Sequence, residues 1–350
     1  MLFKALVVLG TAYQAHACSR VTYHASEDRI TIGRSVDFVA DTNTTVYAWP
    51  AGLERNGGVE DYPFNWTSKY GSVTALMYDK AYTEGVNSEG LAGSTLYLGD
   101  SQFEERNATR PGMFVGIWMQ YFLDTYANVA DAAKAYCPGP GEEPFQVVVK
   151  SIVPGVHSNL HLSFSDPTGN NLIMEFAKGK LTCWESKNYT VMTNEPTFDQ
   201  QLAIDAYWGP VANHSLPGTA RPADRFARLS YYNKNIPPAK DAAEAVSYCA
   251  GMVRAVSNPM LLTSFETAGA ADVWPTYWRM YTDLKDMMMF YESASSPSLF
   301  WMDVNELLSD KNQTKVLSLK GVPWQDRMAD MTKEFQNASK EACQAIWTQC

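Results

Sequence analysis

Apolar and polar positions alternate with a strand-like period at the start of the chain. Cys18-Ser19-Arg20-Val21-Thr22-Tyr23-His24 and Arg29–Phe38 place β-branched and aromatic residues on either side of the polar stretch Ala25–Asp28. That pattern predicts a hairpin. Further strands are predicted at Thr45–Trp49, Ser72–Tyr78 and Gly90–Leu98, with Gly85–Gly90 as a turn. Pro111 opens a predicted helix running to Leu123, and Asn128–Tyr136 reads as a second, ended by the Pro/Gly-rich Pro138–Pro144. A second strand-rich block covers Phe145–Val153, Asn159–Ser165, Leu172–Phe176 and Asn188–Thr193, with Asp166–Asn170 as a turn. Ala220–Ser230 and Ala239–Val256 look helical, whereas Trp274–Glu292 and Phe300–Asn305 return to strand character. Gln325–Cys350 reads as a charged surface helix. No repeat, low-complexity tract or Gly/Ser linker interrupts residues 18–350, so one domain is the economical reading. The order of elements predicts an α+β fold of stacked antiparallel sheets covered by helices.

The first residues do not belong to that pattern. Met1-Leu2-Phe3-Lys4 carries one positive charge, an apolar run follows from Ala5 to Leu9, and Ala15 and Ala17 occupy the small-residue positions of a cleavage site. Residues 1–17 read as a secretory signal peptide, too short to span a bilayer. Cleavage after Ala17 makes Cys18 the first residue, joining a thiol to a free α-amine. The amine, with an ordinary pKa of about 7.7–8.0, can take the thiol proton near neutral pH. Two other uses of Cys18 stand beside this one. A disulfide is the plainer, and a lipid anchor is disfavoured because Ala15 stands where such signals carry Leu.

Composition narrows the classes. The 350 residues are 46% hydrophobic and 13% aromatic, with a net charge of −10. This balance suits a compact soluble body and argues against a nucleic-acid partner. Beyond the leader no stretch approaches the roughly 20 apolar residues of a membrane helix, so no stable membrane insertion is expected. Of six cysteines, a free Cys18 leaves Cys137, Cys183, Cys249, Cys343 and Cys350, an odd number that cannot all pair. Cys343 and Cys350 are close enough to pin the C-terminus in an oxidising compartment. Asn-X-Ser/Thr triplets begin at Asn43, Asn65, Asn107, Asn188, Asn213, Asn312 and Asn337, hinting at a glycosylating secretory route.

An N-terminal thiol needs a group to orient the amine, a cation to favour the thiolate and donors for an oxyanion. Asp37 can return from the end of the hairpin to the amine. Arg34, three residues earlier, falls on the opposite face of a regular strand, so both serve one site only if a bulge or turn intervenes. Surface ion pairs are the plain alternative for both. His157 and His161 share a strand face but lack a third ligand at metal-site spacing. No nucleophile elbow, Walker loop or dinucleotide fingerprint is present, and the run Met287–Met289 suits a core.

Together these residues resemble the choloylglycine hydrolase family, which comprises penicillin V acylases and bile salt hydrolases. Cys18-Ser19-Arg20 with Arg34-Ser35-Val36-Asp37 is one landmark. Gly85-Val86-Asn87-Ser88-Glu89-Gly90-Leu91 with Leu96-Tyr97-Leu98 is another. Phe164–Gly169 with Ile173–Phe176, then Thr193-Asn194-Glu195-Pro196, then Asp224-Arg225-Phe226-Ala227-Arg228 follow in the family's order. The resemblance implies a four-layer αββα N-terminal nucleophile hydrolase without metal or cofactor. It makes Cys18 the nucleophile and its amine the base, with Arg34 stabilising the thiolate and Asp37 holding the terminal group. Asn194 and Tyr97 supply oxyanion donors, and Arg225 completes the electrostatics. Tyr97 stands where bile salt hydrolases usually carry Asn and penicillin V acylases of Gram-positive type carry Tyr. The segment between Asn194 and Arg225 is shorter than in tetrameric members, whose assembly loop lies there, so homo-oligomer formation stays open.

The expected activity is a secreted or periplasmic cysteine amidohydrolase that cleaves linear non-peptide amides of small-molecule acyl substrates through a thioester. Two alternatives remain, an acid-compartment lipid amidase and a non-catalytic secreted binding protein of the same fold.

Overall fold

The computed structural model describes residues 18–137, 139, 143–152, 158–211, 215–260, 274–320 and 322–348. Two large sheets carry the architecture. The first runs, in spatial order, Val191–Met192, Ser19–Ser26, Arg29–Asp37, Thr276–Asp283, Met288–Ser293, Leu299–Asp303 and Ala329–Asp330. The second runs Lys180–Glu185, Asn171–Ala177, Leu160–Ser165, Ala92–Tyr97, Ala81–Asn87, Ser72–Met77, Thr45–Trp49, Lys315–Ser318 and Gln336–Asn337. Helix Trp118–Thr125 packs on the outside of the second sheet, and helices Pro222–Asn235 and Ala242–Ala255 pack on the outside of the first. This is the four-layer αββα sandwich.

Alternation along the strands builds the three interlayer cores. Ile30, Ile32 and Val36 meet Val46, Ala48, Val73, Ala75 and Val86 between the two sheets, joined by Met280, Met289 and Met302. Side chains of opposite parity on the first sheet, Val21, Tyr23 and Tyr281, pack instead with Leu229, Cys249 and Val253 of the covering helices. On the far face of the second sheet, Trp49, Tyr82, Leu162 and Phe164 pack with Trp118 and Phe122. The central strands are therefore buried on both faces, which is why their residues alternate in partner rather than in polarity. Met287 and Met289 of the methionine run are part of the central core, whereas Met288 is half-buried outside it.

Gly33 shows how tightly the outer helix lies. A Cβ there would sit 2.5 Å from Cys249 Sγ and 2.8 Å from a Val253 methyl. Its missing side chain lets helix Ala242–Ala255 approach the strand that carries Arg34.

Several expectations change. Gly85–Asn87 is strand rather than turn, because Ala81–Asn87 pairs with both Ser72–Met77 and Ala92–Tyr97; the reversal is confined to Ser88–Gly90. The helix expected from Pro111 starts only at Trp118, since Gly112–Phe114 pairs in parallel with Gln146–Val148. That pairing is also all that is described as strand within Phe145–Val153. Trp274–Glu292 is a hairpin of two strands turning at Leu284–Met287. Gln325–Cys350 is not one helix: two short strands precede the brief helix Lys340–Ala345. Strand Lys180–Glu185 and helix Phe198–Trp208 were not anticipated.

Cys137 and Cys183 form a disulfide between the end of helix Val129–Tyr136 and strand Lys180–Glu185. Cys343 is also disulfide-bonded, while Cys350 lies outside the described residues. Cys18 and Cys249 are free and buried. The cleavage site at Ala15–Ala17 and His157 also lie outside the described residues. His161 is fully buried and bonded through Nδ1 to Glu175 Oε1 at 2.9 Å. No helix among the described residues is long and apolar enough to cross a membrane.

Candidate active site

Cys18 is buried and immediately precedes the first hairpin strand, Ser19–Ser26. That strand pairs Ser19 with Ser35 and Arg20 with Arg34, so Arg34 enters the same inter-sheet space as Arg20. Strand Thr276–Asp283, on the far side of strand Arg29–Asp37, carries a bulge: Thr276 faces Asp37 and Trp278 faces Val36, leaving Tyr277 unpaired between them.

Five residues from other parts of the chain cluster around Cys18. Its backbone nitrogen donates to Asn194 Oδ1 at 2.7 Å. Arg225 Nη1 donates to the Cys18 carbonyl oxygen and to Ser19 Oγ, both at 2.6 Å, and Nη2 donates to Asn194 Oδ1 at 2.8 Å. Asn194 in turn donates from Nδ2 to the Tyr97 carbonyl at 2.7 Å. The thiol lies 3.9 Å from the Asp37 carbonyl oxygen. The Asp37 carboxylate takes its own bonds elsewhere, from Thr276 Oγ1 at 2.6 Å and Asn258 Nδ2 at 3.4 Å. Arg34 donates to the carbonyls of Thr83 and Thr95 and lies 3.9 Å from Glu84 Oε2.

Cys18, Arg34, Asp37 and Tyr97 line one cavity of about 70 Å³, whose remaining wall is mostly apolar, with Phe38, Met77, Leu96 and Leu160. All six residues singled out in the sequence thus belong to one cluster: four line the cavity, and Asn194 and Arg225 hold the Cys18 backbone. A larger groove of about 890 Å³, between strand Glu54–Asn56 and helix Lys340–Ala345, contains none of them.

Burial dominates the electrostatics. It pushes the Cys18 thiol above its ordinary value; Arg34 opposes this most, Asp37 adds to it through its charge, and Arg225 pulls down more weakly. Burial likewise raises the Asp37 carboxyl to about 6, against the pull of Arg225 and the Thr276 hydrogen bond. Burial therefore favours the protonated thiol, against the opposing pull of two guanidinium groups. The thiol becomes a strong nucleophile only when a base removes that proton.

The supporting residues escaped sequence reasoning. Thr276 and Asn258 orient Asp37 across 239 and 221 residues, and no local pattern announces such partners. Gln201 Nε2 donates to the Asn194 and Pro196 carbonyls. Its place on the first turn of helix Phe198–Trp208, just after the Asn194 motif, was the one signal available. Among the described residues no group of three or more His, Cys, Asp or Glu side chains is close enough to hold a metal ion.

Comparison with known proteins agrees with this geometry. The family model for linear amide C–N hydrolases of the choloylglycine hydrolase family matches residues 18–316. Penicillin V acylase of Pectobacterium atrosepticum is 38% identical over 329 residues, covering 86% of this chain and 84% of that protein. Bile salt hydrolase/transferase of Clostridium perfringens is 23% identical over 252 residues, covering 61% and 75%. The structure of penicillin V acylase from Agrobacterium tumefaciens superposes with a TM-score of 0.83 at 35% identity, covering 92% of this chain and 98% of that one. A fold and a sequence match of this extent are one finding with the Cys18 cluster: the chain belongs to the choloylglycine hydrolase family and is a linear amide C–N hydrolase.

Proposed function

We propose that residues 1–17 are removed and that the mature protein is a secreted cysteine amidohydrolase with Cys18 as its N-terminal nucleophile. The observation that carries this is the grip on the Cys18 backbone. Asn194 holds its nitrogen and Arg225 its carbonyl, while the thiol opens to an apolar cavity. A cysteine held by its main chain, rather than by its side chain, suits a residue whose amine and thiol both react.

In this reading the free α-amine accepts the thiol proton as Sγ attacks the acyl carbon. Arg34 favours the thiolate, and Asp37 counterbalances the ammonium group. Negative charge on the acyl oxygen is met by the second Nδ2–H of Asn194 and by a donor at Tyr97. The C–N bond then breaks, and the leaving amine takes the proton from the ammonium group. Water attacks the remaining thioester, giving a carboxylic acid and the free thiol. Arg225 keeps Cys18 and Asn194 in register throughout.

The cavity supports a compact acyl group as the part of the substrate that lies beside Cys18. It is small beside the roughly 300–1,000 Å³ of ordinary ligand pockets, and its wall is apolar. A flat aromatic or short alkyl acyl group fits better than a steroid. The relatives named penicillin V acylase support the same side of the family.

Intact-mass analysis of the secreted protein, followed by acid quenching during turnover of a phenoxyacetyl amide, tests the proposal. A chain starting at Cys18 and an acyl adduct on Cys18 are expected. A start elsewhere, or turnover that survives complete alkylation of Cys18, overturns it.

A further inference from the structure

We infer that Asn43, Asn65, Asn107, Asn188, Asn312 and Asn337 are attachment sites for N-linked oligosaccharide, so that the mature hydrolase is a glycoprotein carrying sugar away from its catalytic cavity. This rests on the secretion proposed above.

The observation is a partition of the asparagines. The chain has 18, seven of them followed two residues later by Ser or Thr. Asn213 lies outside the described residues; the other six are all exposed. Of the eleven asparagines without such a hydroxyl, only Asn235 and Asn305 are exposed. The four buried ones, Asn87, Asn171, Asn194 and Asn258, all lack it.

Exposure of the whole triplet does not account for this, because Thr45 and Thr314, the hydroxyl residues of the Asn43 and Asn312 triplets, are buried. What is kept outside is the asparagine. That is the physical requirement for a bulky polar adduct, since a sugar chain cannot enter a close-packed interior. Asn107 also has a turn suited to the chemistry: its Oδ1 accepts from Thr109 N and Thr109 Oγ1, at 3.1 and 2.7 Å. None of the six lines the cavity at Cys18.

The co-reactant is an oligosaccharide carried on a lipid pyrophosphate. The asparagine Nδ2 forms a bond to the anomeric carbon and loses one proton. The anomeric C–O bond breaks, and the lipid pyrophosphate departs with that electron pair.

The test is peptide mapping of the full chain purified from its own source, with enzymatic deglycosylation in ¹⁸O water marking each occupied asparagine as labelled aspartate. The N-terminus is read in the same digest. The expected result is a chain starting at Cys18 with at least four of the six asparagines occupied. A chain starting at Cys18 with fewer occupied overturns the glycoprotein inference and leaves secretion standing. A chain that retains residues 1–17 and is unmodified overturns both.

Discussion

Arg225 donates from Nη1 to the carbonyl oxygen of Cys18 at 2.6 Å, joining residues 207 positions apart. The same guanidinium reaches Ser19 Oγ and Asn194 Oδ1, so its planar fork fixes Cys18 and its neighbour together. Lysine keeps the charge but has no fork. Arg225→Lys should therefore lower kcat/KM by roughly 10–100-fold, the loss of one or two charge-assisted hydrogen bonds. The folded fraction should change little. Steady-state kinetics beside a thermal melt separate the two, and unchanged kcat/KM would show that the fork does not position Cys18.

Cys18→Ala should abolish turnover while the fold survives, because only one buried sulfur is lost from the edge of a core. Cys18→Ser should leave at most a trace, since a hydroxyl is far harder to deprotonate than a thiol. Single-turnover measurements at high enzyme concentration are sensitive enough to decide. Activity near that of the wild type in either variant would place the nucleophile elsewhere.

Asp37 gives a pH signature. Its carboxyl is raised by burial to about 6 in the fold, against about 3.9 in an unfolded chain. Between these values the folded protein binds more protons on Asp37 than the unfolded chain does. The stability contribution of this group therefore falls as pH rises from about 4 to about 6, and is constant above. Asp37→Asn removes that slope. The stability of the variant relative to the wild type should rise across this window by on the order of 2–3 kcal/mol. Melts at closely spaced pH values, on chain retaining residues 1–17, measure it. A difference independent of pH would mean that Asp37 titrates normally.

The hairpin, most of the strands and two of the long helices were legible because their periodicity is local. The misses share a cause. Lys180–Glu185 lies at an edge and mixes half-buried with exposed residues, so it lacks a clean period. Helix Phe198–Trp208 buries only Phe198 and Gln201, so it has no apolar stripe. Gln325–Cys350 carries charges that suit a surface helix, yet Ala329–Asp330 and Gln336–Asn337 are recruited to the edges of separate sheets. Cys18, Arg34 and Asp37 were singled out from the needs of an N-terminal thiol, whereas Tyr97, Asn194 and Arg225 came only through the resemblance to a family. Thr276 and Asn258 were missed, because their only signal is a contact made after folding.

Gly33 tests the packing beneath the site. In Gly33→Ala the new Cβ meets Cys249 Sγ and Val253, so overpacking should cost about 1–3 kcal/mol. Adding Cys249→Ala removes one of the two opposing atoms. The double variant should be more stable than the sum of the single changes predicts. Denaturant titrations of the four proteins complete the cycle, and strict additivity would mean that the helix simply moves aside.

Asn194 and Arg34 stand on different sides of the reaction and should fail differently. Asn194 is proposed to meet charge that exists only as the thiol attacks, so Asn194→Ala should lower kcat more than it raises KM. Losing one such donor costs on the order of 10²–10³ in rate. Arg34 acts before that, as the strongest influence holding the Cys18 thiol down against burial. Arg34→Met should let the thiol rise further, moving the acidic limb of the kcat/KM profile to higher pH. Because Arg34 also faces buried Glu84, Arg34→Met should be paired with Glu84→Gln so that no carboxylate is left unpaired. A drop in kcat with an unmoved profile for the first variant, and a displaced profile for the second, is the expected pair. If both merely lower the folded fraction, with normal specific activity in what remains, the two residues support the fold and the proposed division of roles is wrong.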